Sequence, residues 1–244
     1  MRKEVIGNAT LYLGDCLEIL PSIKYCANCV APPTCPRCVS VNGFTLITDP
    51  PYGIGMKWKG VDRNNRHSGL AWKSSGTFNR QPEWTDIVGD DKPFDPLPWL
   101  AYPQVILWGA NNYSGLPAAR RWLVWDKRRD TTPDNHGDAE LAWTNLDGVI
   151  RTHRQVWRGI VREGEENVAK TSKSHPTQKP IELMRWCVDM TTGNVLDPFM
   201  GSGSTGVACM NLQRPFIGIE IEPKYFDIAC ERITNAQRQE RMFE

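Results

Sequence analysis

The sequence predicts an α/β fold, a sheet flanked by helices with its ligands gathered at the carboxyl ends of the strands. Three observations carry this. Short apolar runs of the kind that form buried strands alternate with stretches whose apolar residues recur at helical spacing. One strand, NVLD, passes through the glycine-rich turn PFMGSGS into a helix of small residues. Two further strands end on an acid, at Asp15 and Glu220, where a carboxylate can reach a bound ligand.

Taken in order, ATLYLGD alternates as a short strand, and DCLEIL continues with helical spacing up to Pro21. FTLITD is an apolar strand stopped by Pro50 and Pro51. Residues 53–96 are rich in Gly, Ser, Asn, Trp and charge with no sustained period, which marks a long loop of the kind that carries function. PQVILW, RRWLVWDK and ELAWTN read as three more strands. A helix is expected from 183 to about 190, then strand, turn and helix over 194–212, and a strand in RPFIGIEIE. Residues 225–239 close the pattern as a helix with apolar Phe226, Ala229 and Ile233 on one face.

The bulk numbers narrow the function classes. The chain has 244 residues, 40% hydrophobic and 23% charged, a composition that excludes disorder and fibres. That length buries roughly 70–75% of the unfolded surface in one domain, 1–244, with no need for disulfides. No run approaches the ~18 apolar residues of a membrane helix, and no signal core opens the chain. A cytoplasmic protein with no membrane partner is expected. With 29 Lys and Arg against 28 Asp and Glu, the net charge of +1 argues against a strong nonspecific polyanion binder. Basic residues nevertheless cluster locally. Lys57, Lys59, Arg63, Arg66, Lys73 and Arg80 lie in one run, Arg120, Arg121, Lys127, Arg128 and Arg129 in a second, and Arg151 to Arg162 in a third. Phosphate contacts need such clusters rather than a high overall charge. A solvated face is the plainer account of each.

Eight cysteines divide into two groups. Cys16, Cys187, Cys209 and Cys230 are scattered among apolar residues and read as small core side chains. Cys26, Cys29, Cys35 and Cys38 form two CxxC knuckles in an insertion, 25–40. Four thiolates at that spacing can hold a structural Zn²⁺ with no open coordination position; the alternative is reduced, metal-free thiols on a loop.

The glycines of the turn from Asp197 to Ser204 allow backbone to approach a ligand closely, and Glu220 ends the next strand where an acid binds ribose hydroxyls. The turn has no phosphate-binding lysine of the GxxxxGK[ST] kind, which favours a nucleoside-bearing ligand without a triphosphate over ATP. A plain strand-to-helix turn is the alternative.

Thr48-Asp49-Pro50-Pro51-Tyr52-Gly53 decides between them, because Asp-Pro-Pro-Tyr at a strand end resembles the catalytic motif of amino-methyltransferases that use S-adenosylmethionine. Its residue types suit a poor nucleophile. An exocyclic amine has its lone pair delocalised into the ring, and hydrogen bonds from its two protons to the Asp49 carboxylate and the Pro50 carbonyl would free that pair. Pro51 adds rigidity, and Tyr52 would stack on a base flipped out of the duplex. DPPY precedes DPFMGSG here, and the segments GDC, TDPPYG, WGANNY, WLVWDK, ELAWT, HPTQKP, LDPFMGSGSTG and FIGIEIEPKYFDIACERI follow in family order. Together they resemble the circularly permuted β class of DNA adenine-N6 and cytosine-N4 methyltransferases over nearly the whole chain.

The resemblance implies a Rossmann-like class I methyltransferase sheet, circularly permuted, with helices on both faces. It implies double-stranded DNA as substrate and adenine N6 as acceptor, since cytosine-N4 relatives more often carry Ser in place of Asp49. The alternatives are a cytosine-N4 enzyme or a non-catalytic DNA-binding relative. Asp197, Phe199, Gly201, Gly203 and Ser204 would surround the methionine part of the cofactor, Glu220 its ribose, Asp15 its adenine amine, and His175 to Lys179 its carboxylate. Lys57, Arg63, Arg66, Lys127 and Arg128 would meet DNA, with target recognition in residues 53–96 and 128–174. A homodimer and a cognate restriction endonuclease stay open as partners.

Overall fold

The computed structural model describes residues 1–23, 44–55, 87–128, 137–158, 161–163 and 178–240. The chain begins with β1 (Arg2–Ile6), β2 (Ala9–Leu13) and α1 (Cys16–Ile23), which continues two residues past Pro21. Next come β3 (Phe44–Thr48), β4 (Gln104–Trp108), β5 (Trp122–Asp126), β6 (Ala139–Thr144) and β7 (Arg151–Arg154). A short hairpin, β8 (Trp157–Arg158) with β9 (Val161–Arg162), stands apart from the main sheet. The cofactor-motif half follows as α2 (Ile181–Asp189), β10 (Asn194–Asp197), α3 (Ser204–Asn211), β11 (Phe216–Glu220) and α4 (Pro223–Glu240).

Nine of these strands form one sheet in the order β1-β2-β11-β10-β3-β4-β6-β5-β7. The five central strands β2, β11, β10, β3 and β4 are parallel, while β1 and β6 pair antiparallel with their neighbours. Parallel strands are covered on both faces and therefore read as continuous apolar runs, and in β4 every residue from Val105 to Trp108 is fully buried. Alternation divides those side chains between two cores. Ile47, Ile106 and Trp108 pack with Leu183, Val207 and Phe226 of α2, α3 and α4. Leu46, Val105 and Leu107 pack on the opposite face with Ile19 and Leu20 of α1 and with Trp99 and Tyr113. Helices thus lie on both faces of the sheet.

The order of strands is the permuted one. β2 and β3 are near neighbours in sequence, yet β11 and β10 lie between them in the sheet. The chain leaves β10 toward β11 and leaves β3 toward β4, so connections diverge from the β10/β3 boundary. In open α/β sheets such a boundary opens a crevice at the carboxyl ends of the strands, and Asp49 and Asp197 stand there.

Two strands of the main sheet, as well as the separate β8-β9 hairpin, go beyond the sequence expectation. β1 pairs with β2 across the two-residue turn Gly7-Asn8, and β7 is an edge strand of sequence RTHR. Among the described residues, no helix is long and apolar enough to cross a membrane.

Candidate active site

The segment Asp49-Pro50-Pro51-Tyr52 leaves β3 at the carboxyl edge of the sheet and lines a cavity of about 490 Å³. From the other side of the crevice the same cavity is lined by Gly14, Asp15, Pro198, Phe199, Gly201 and Glu220. Phe94 and Trp99 wall it and meet Phe199 edge-on, with ring centroids 5.7 and 5.1 Å away. Residues from two sequence regions about 150 positions apart, TDPPYG and DPFMGSG, are therefore brought to one cavity by the adjacency of β3 and β10.

Asp49 is engaged through both oxygens. Oδ1 accepts a hydrogen bond from the Tyr52 hydroxyl at 2.8 Å, and Oδ2 is ion-paired with the Lys179 ammonium. Lys179 also contacts Glu140 Oε2 at 3.1 Å and donates to the Tyr52 hydroxyl at 3.1 Å. Glu140 is in turn paired with Lys127. Two acids and two ammonium groups thus form one chain, with the Lys179 side chain only 7% exposed. Burial raises the Asp49 carboxyl above the ordinary range while Lys179 pulls against it. At Glu140 burial also raises the carboxyl, but Lys179 and Lys127 together outweigh it and bring the group down to about 2. Lys179, held between two carboxylates, has its ammonium form favoured despite its burial.

The cofactor-motif residues divide by role. Glu220 accepts backbone N–H bonds from Gly201 and Glu222, both at 2.8 Å, and burial still pushes its carboxyl up to about 7. Asp15 caps α1 by accepting from the Leu17 N–H at 2.8 Å and lines the cavity. Asp197 and Ser204 line a smaller pocket beside the cavity with Phe199 and Gly201, and with Gly203 they also hold the surrounding elements in place. Asp197 is buried and accepts from the hydroxyls of Thr48 (2.7 Å) and Thr205 (2.6 Å), bracing β10 against β3 and α3, and burial raises it to about 6. Gly203 turns toward α4: its φ is +80°, and a Cβ there would lie 2.9 Å from Ala229 Cβ. Ser204 donates to the Lys179 carbonyl at 2.8 Å, which fixes the segment carrying that lysine.

Lys179, expected to meet the cofactor carboxylate, is paired with Asp49 and Glu140 and lines a smaller neighbouring pocket with Phe199 and Gly201. Of the residues expected to meet DNA, Lys127 is paired with Glu140 and Arg128, 4% exposed, with Asp138. His175, Lys57, Arg63, Arg66 and the cysteines 26, 29, 35 and 38 lie outside the described residues. Among the described residues, no cluster of His, Cys, Asp or Glu is arranged to hold a metal.

Two site residues escaped the sequence reading. Glu140 lies inside the recognised ELAWT segment, but nothing local marks it as a partner of a lysine 39 positions away. Asp90 is buried and accepts from the Gly53 N–H at 2.9 Å, fixing the chain just after Tyr52. It sits in a run of acids that gives it no distinguishing mark.

Comparison with known proteins agrees with this arrangement. The family model described as DNA methylase, of the N6/N4 type, matches residues 120–231. The type II methyltransferase M.HpaI of Haemophilus parainfluenzae is 42% identical over 222 residues, covering 77% of this chain and 67% of that protein. M2.LlaDCHI of Lactococcus lactis subsp. cremoris is 34% identical over 114 residues, covering 46% of this chain and 40% of that protein. The chain spans about two fifths or less of the length of several curated relatives that it matches, from 41% down to 27%. Among solved structures, PvuII DNA methyltransferase (cytosine-N4-specific) shares the fold with a TM-score of 0.51 at 15% identity, covering 96% of this chain and 93% of that one. The chain belongs to the N6/N4 DNA methylase family.

Proposed function

We propose that the protein is a type II DNA methyltransferase that transfers a methyl group from S-adenosylmethionine to the exocyclic N6 amine of an adenine flipped from double-stranded DNA. The observation that carries this reading is the placement of Asp49 to Tyr52 and of Phe199, Gly201 and Glu220 on one cavity at the β10/β3 boundary. The cavity suits the cofactor in its donor set. Glu220 keeps a second lone pair on each oxygen for ribose hydroxyls, Asp15 supplies an acceptor for an adenine amine, and Phe199 supplies an aromatic wall. S-adenosylmethionine, when bound, supplies an electrophilic methyl group.

The chain's own contribution is to the acceptor. The Asp49 carboxylate and the Pro50 carbonyl accept the two amine hydrogens, which draws the nitrogen lone pair out of conjugation with the ring. Tyr113 bounds this corner, its hydroxyl donating to the Trp108 carbonyl at 2.9 Å and lying 3.4 Å from the Pro50 oxygen. Tyr52 offers the stacking face for the base, and Gly109 makes room for that ring, since a Cβ at this position of φ +77° would overlap it. Asp49 is then placed to receive the proton that the methylated nitrogen sheds. DNA contacts belong to residues 53–96 and to 128–174 apart from the inward-facing Arg128.

The test is incubation of purified protein with labelled S-adenosylmethionine and unmethylated genomic DNA, followed by nucleoside mass spectrometry. N6-methyladenine is expected. N4-methylcytosine alone would overturn the base assignment while leaving the reaction class intact, and an unlabelled digest would overturn the function. Asp49→Ala lowers turnover by at least about a hundredfold with cofactor affinity preserved, and a parallel loss of affinity, measured by calorimetry, would remove Asp49 from the acceptor side.

A further inference from the structure

We propose that Lys179 is a positioning residue that keeps Asp49 an anion in its half-buried seat, and that Glu140 is the second seat to which the ammonium withdraws when a substrate amine engages the Asp49 oxygen. The inference rests on the amino-methyltransferase reading and deepens it, since the acid that binds the amine is useful only as a carboxylate.

The geometry supplies both halves. In the absence of substrate each Asp49 oxygen already accepts from one donor, Oδ1 from Tyr52 and Oδ2 from Lys179, and keeps one further lone pair. An arriving amine competes with these donors for the Asp49 carboxylate. Tyr52 is a neutral donor with a rotatable hydroxyl, and its loss changes no charge. Lys179 is different. Its charge compensates an acid that burial drives toward the neutral form, and a protonated carboxyl would meet the amine with a proton instead of a lone pair. Complete departure of the ammonium would therefore disarm the site. Glu140 prevents that departure, because its Oε2 lies 3.1 Å from the same ammonium, and a short swing toward it frees Asp49 Oδ2 while the charge stays close. Lys127, paired with the other Glu140 oxygen, keeps Glu140 ionised in both positions.

The groups that act electrically on Asp49 come from every neighbouring segment. Lys179 precedes α2, Glu140 belongs to β6, Tyr52 follows β3, Tyr113 follows β4, and Asp197 ends β10. Lys179 is the one cation that the described residues place against the Asp49 carboxylate. Its backbone is held for this task, since Ser204 at the start of α3 donates to its carbonyl.

The test follows the Asp49 carboxyl itself by carbon-13 NMR on protein labelled at aspartate, assigned by comparison with Asp49→Asn. In Lys179→Met the protonation midpoint moves up by about two pH units relative to the wild type, whereas Lys179→Arg leaves it nearly in place. An unmoved midpoint in Lys179→Met overturns the proposal. If Lys179→Met does not fold, Glu140→Gln serves: removal of the second acid lowers the Asp49 midpoint, and no change there overturns the coupling. Single-turnover methylation gives the matching kinetic signature. Lys179→Met is slowed at pH values below its raised midpoint, by up to about tenfold per pH unit, and recovers as the pH rises through that midpoint, at unchanged cofactor affinity. A loss equal at every pH, or confined to cofactor affinity, overturns the proposal. A wild-type protein that never methylates DNA would instead fail the functional reading, and the titration would still decide the role of Lys179.

Discussion

Glu220 links a raised carboxyl to ligand affinity in a way that fixes a sign. Unliganded, its carboxyl is pushed up to about 7 because burial outweighs two backbone N–H bonds. A group raised in this way favours the protonated fold, so its contribution to stability is fully present below the ordinary value of 4.5 and is lost as pH rises through about 7. Cofactor binding runs the other way, because ribose hydroxyls need the anion as acceptor. Affinity for S-adenosylmethionine therefore falls up to about tenfold per pH unit below about pH 7. Glu220→Gln binds more weakly and with a flat profile. Calorimetry from about pH 5.5 to about 8.5 measures both, and a flat wild-type profile would take Glu220 out of the cofactor site. At this scale the sequence was legible where a residue's role is local. Glu220 ends a strand and Asp15 stands two residues beyond one, both lining the cavity, and the Asp-Pro-Pro-Tyr segment stands at a strand end as its prolines require. Lys179 and Glu140 were not legible in the same way. Their roles come from a contact between distant segments that no spacing encodes.

At the scale of the element, the turn between β10 and α3 does two jobs with two glycines. Gly201 faces the cavity and donates to Glu220, while Gly203 turns α3 against α4. Gly203→Ala places a side chain at a left-handed φ and within 2.9 Å of Ala229 Cβ, and it destabilises the fold by about 2 kcal/mol or more. Ala229→Gly in the same chain recovers part of that loss, as a double-mutant cycle in urea would read; strict additivity would place the strain elsewhere. The strands and helices with a sustained apolar pattern were readable because burial imposes their period. β7, of sequence RTHR, was not readable, since an edge strand with one paired side has no apolar rhythm to keep. β1 offered a weaker signal, a Gly-Asn pair between two short runs, which a hairpin turn uses.

At the scale of the whole molecule, the near-neutral charge leaves DNA affinity to local clusters. Two cations of the second cluster are spent internally on Glu140 and Asp138. The proposed contact with the DNA backbone therefore shifts toward the 53–96 segment, and reversal of Arg63 and Arg66 to Glu weakens DNA binding and flattens its dependence on salt. A slope of log affinity against log salt that matches the wild type would place DNA on another face.

The interleaved strand order bears on how the protein is made. Strand β2 finds its parallel partner in β11, Leu11 opposite Gly218, and β3 finds one of its own in β10, Leu46 opposite Leu196. During synthesis the first strands emerge long before these partners exist, and ends this distant close slowly. Until β10 and β11 arrive, β2 and β3 present apolar edges that invite pairing with other chains. The cavity is subject to the same delay. Asp15 and Asp49 are early residues and Phe199 and Glu220 late ones, so the cavity is not assembled until the segment carrying Glu220 has emerged from the ribosome.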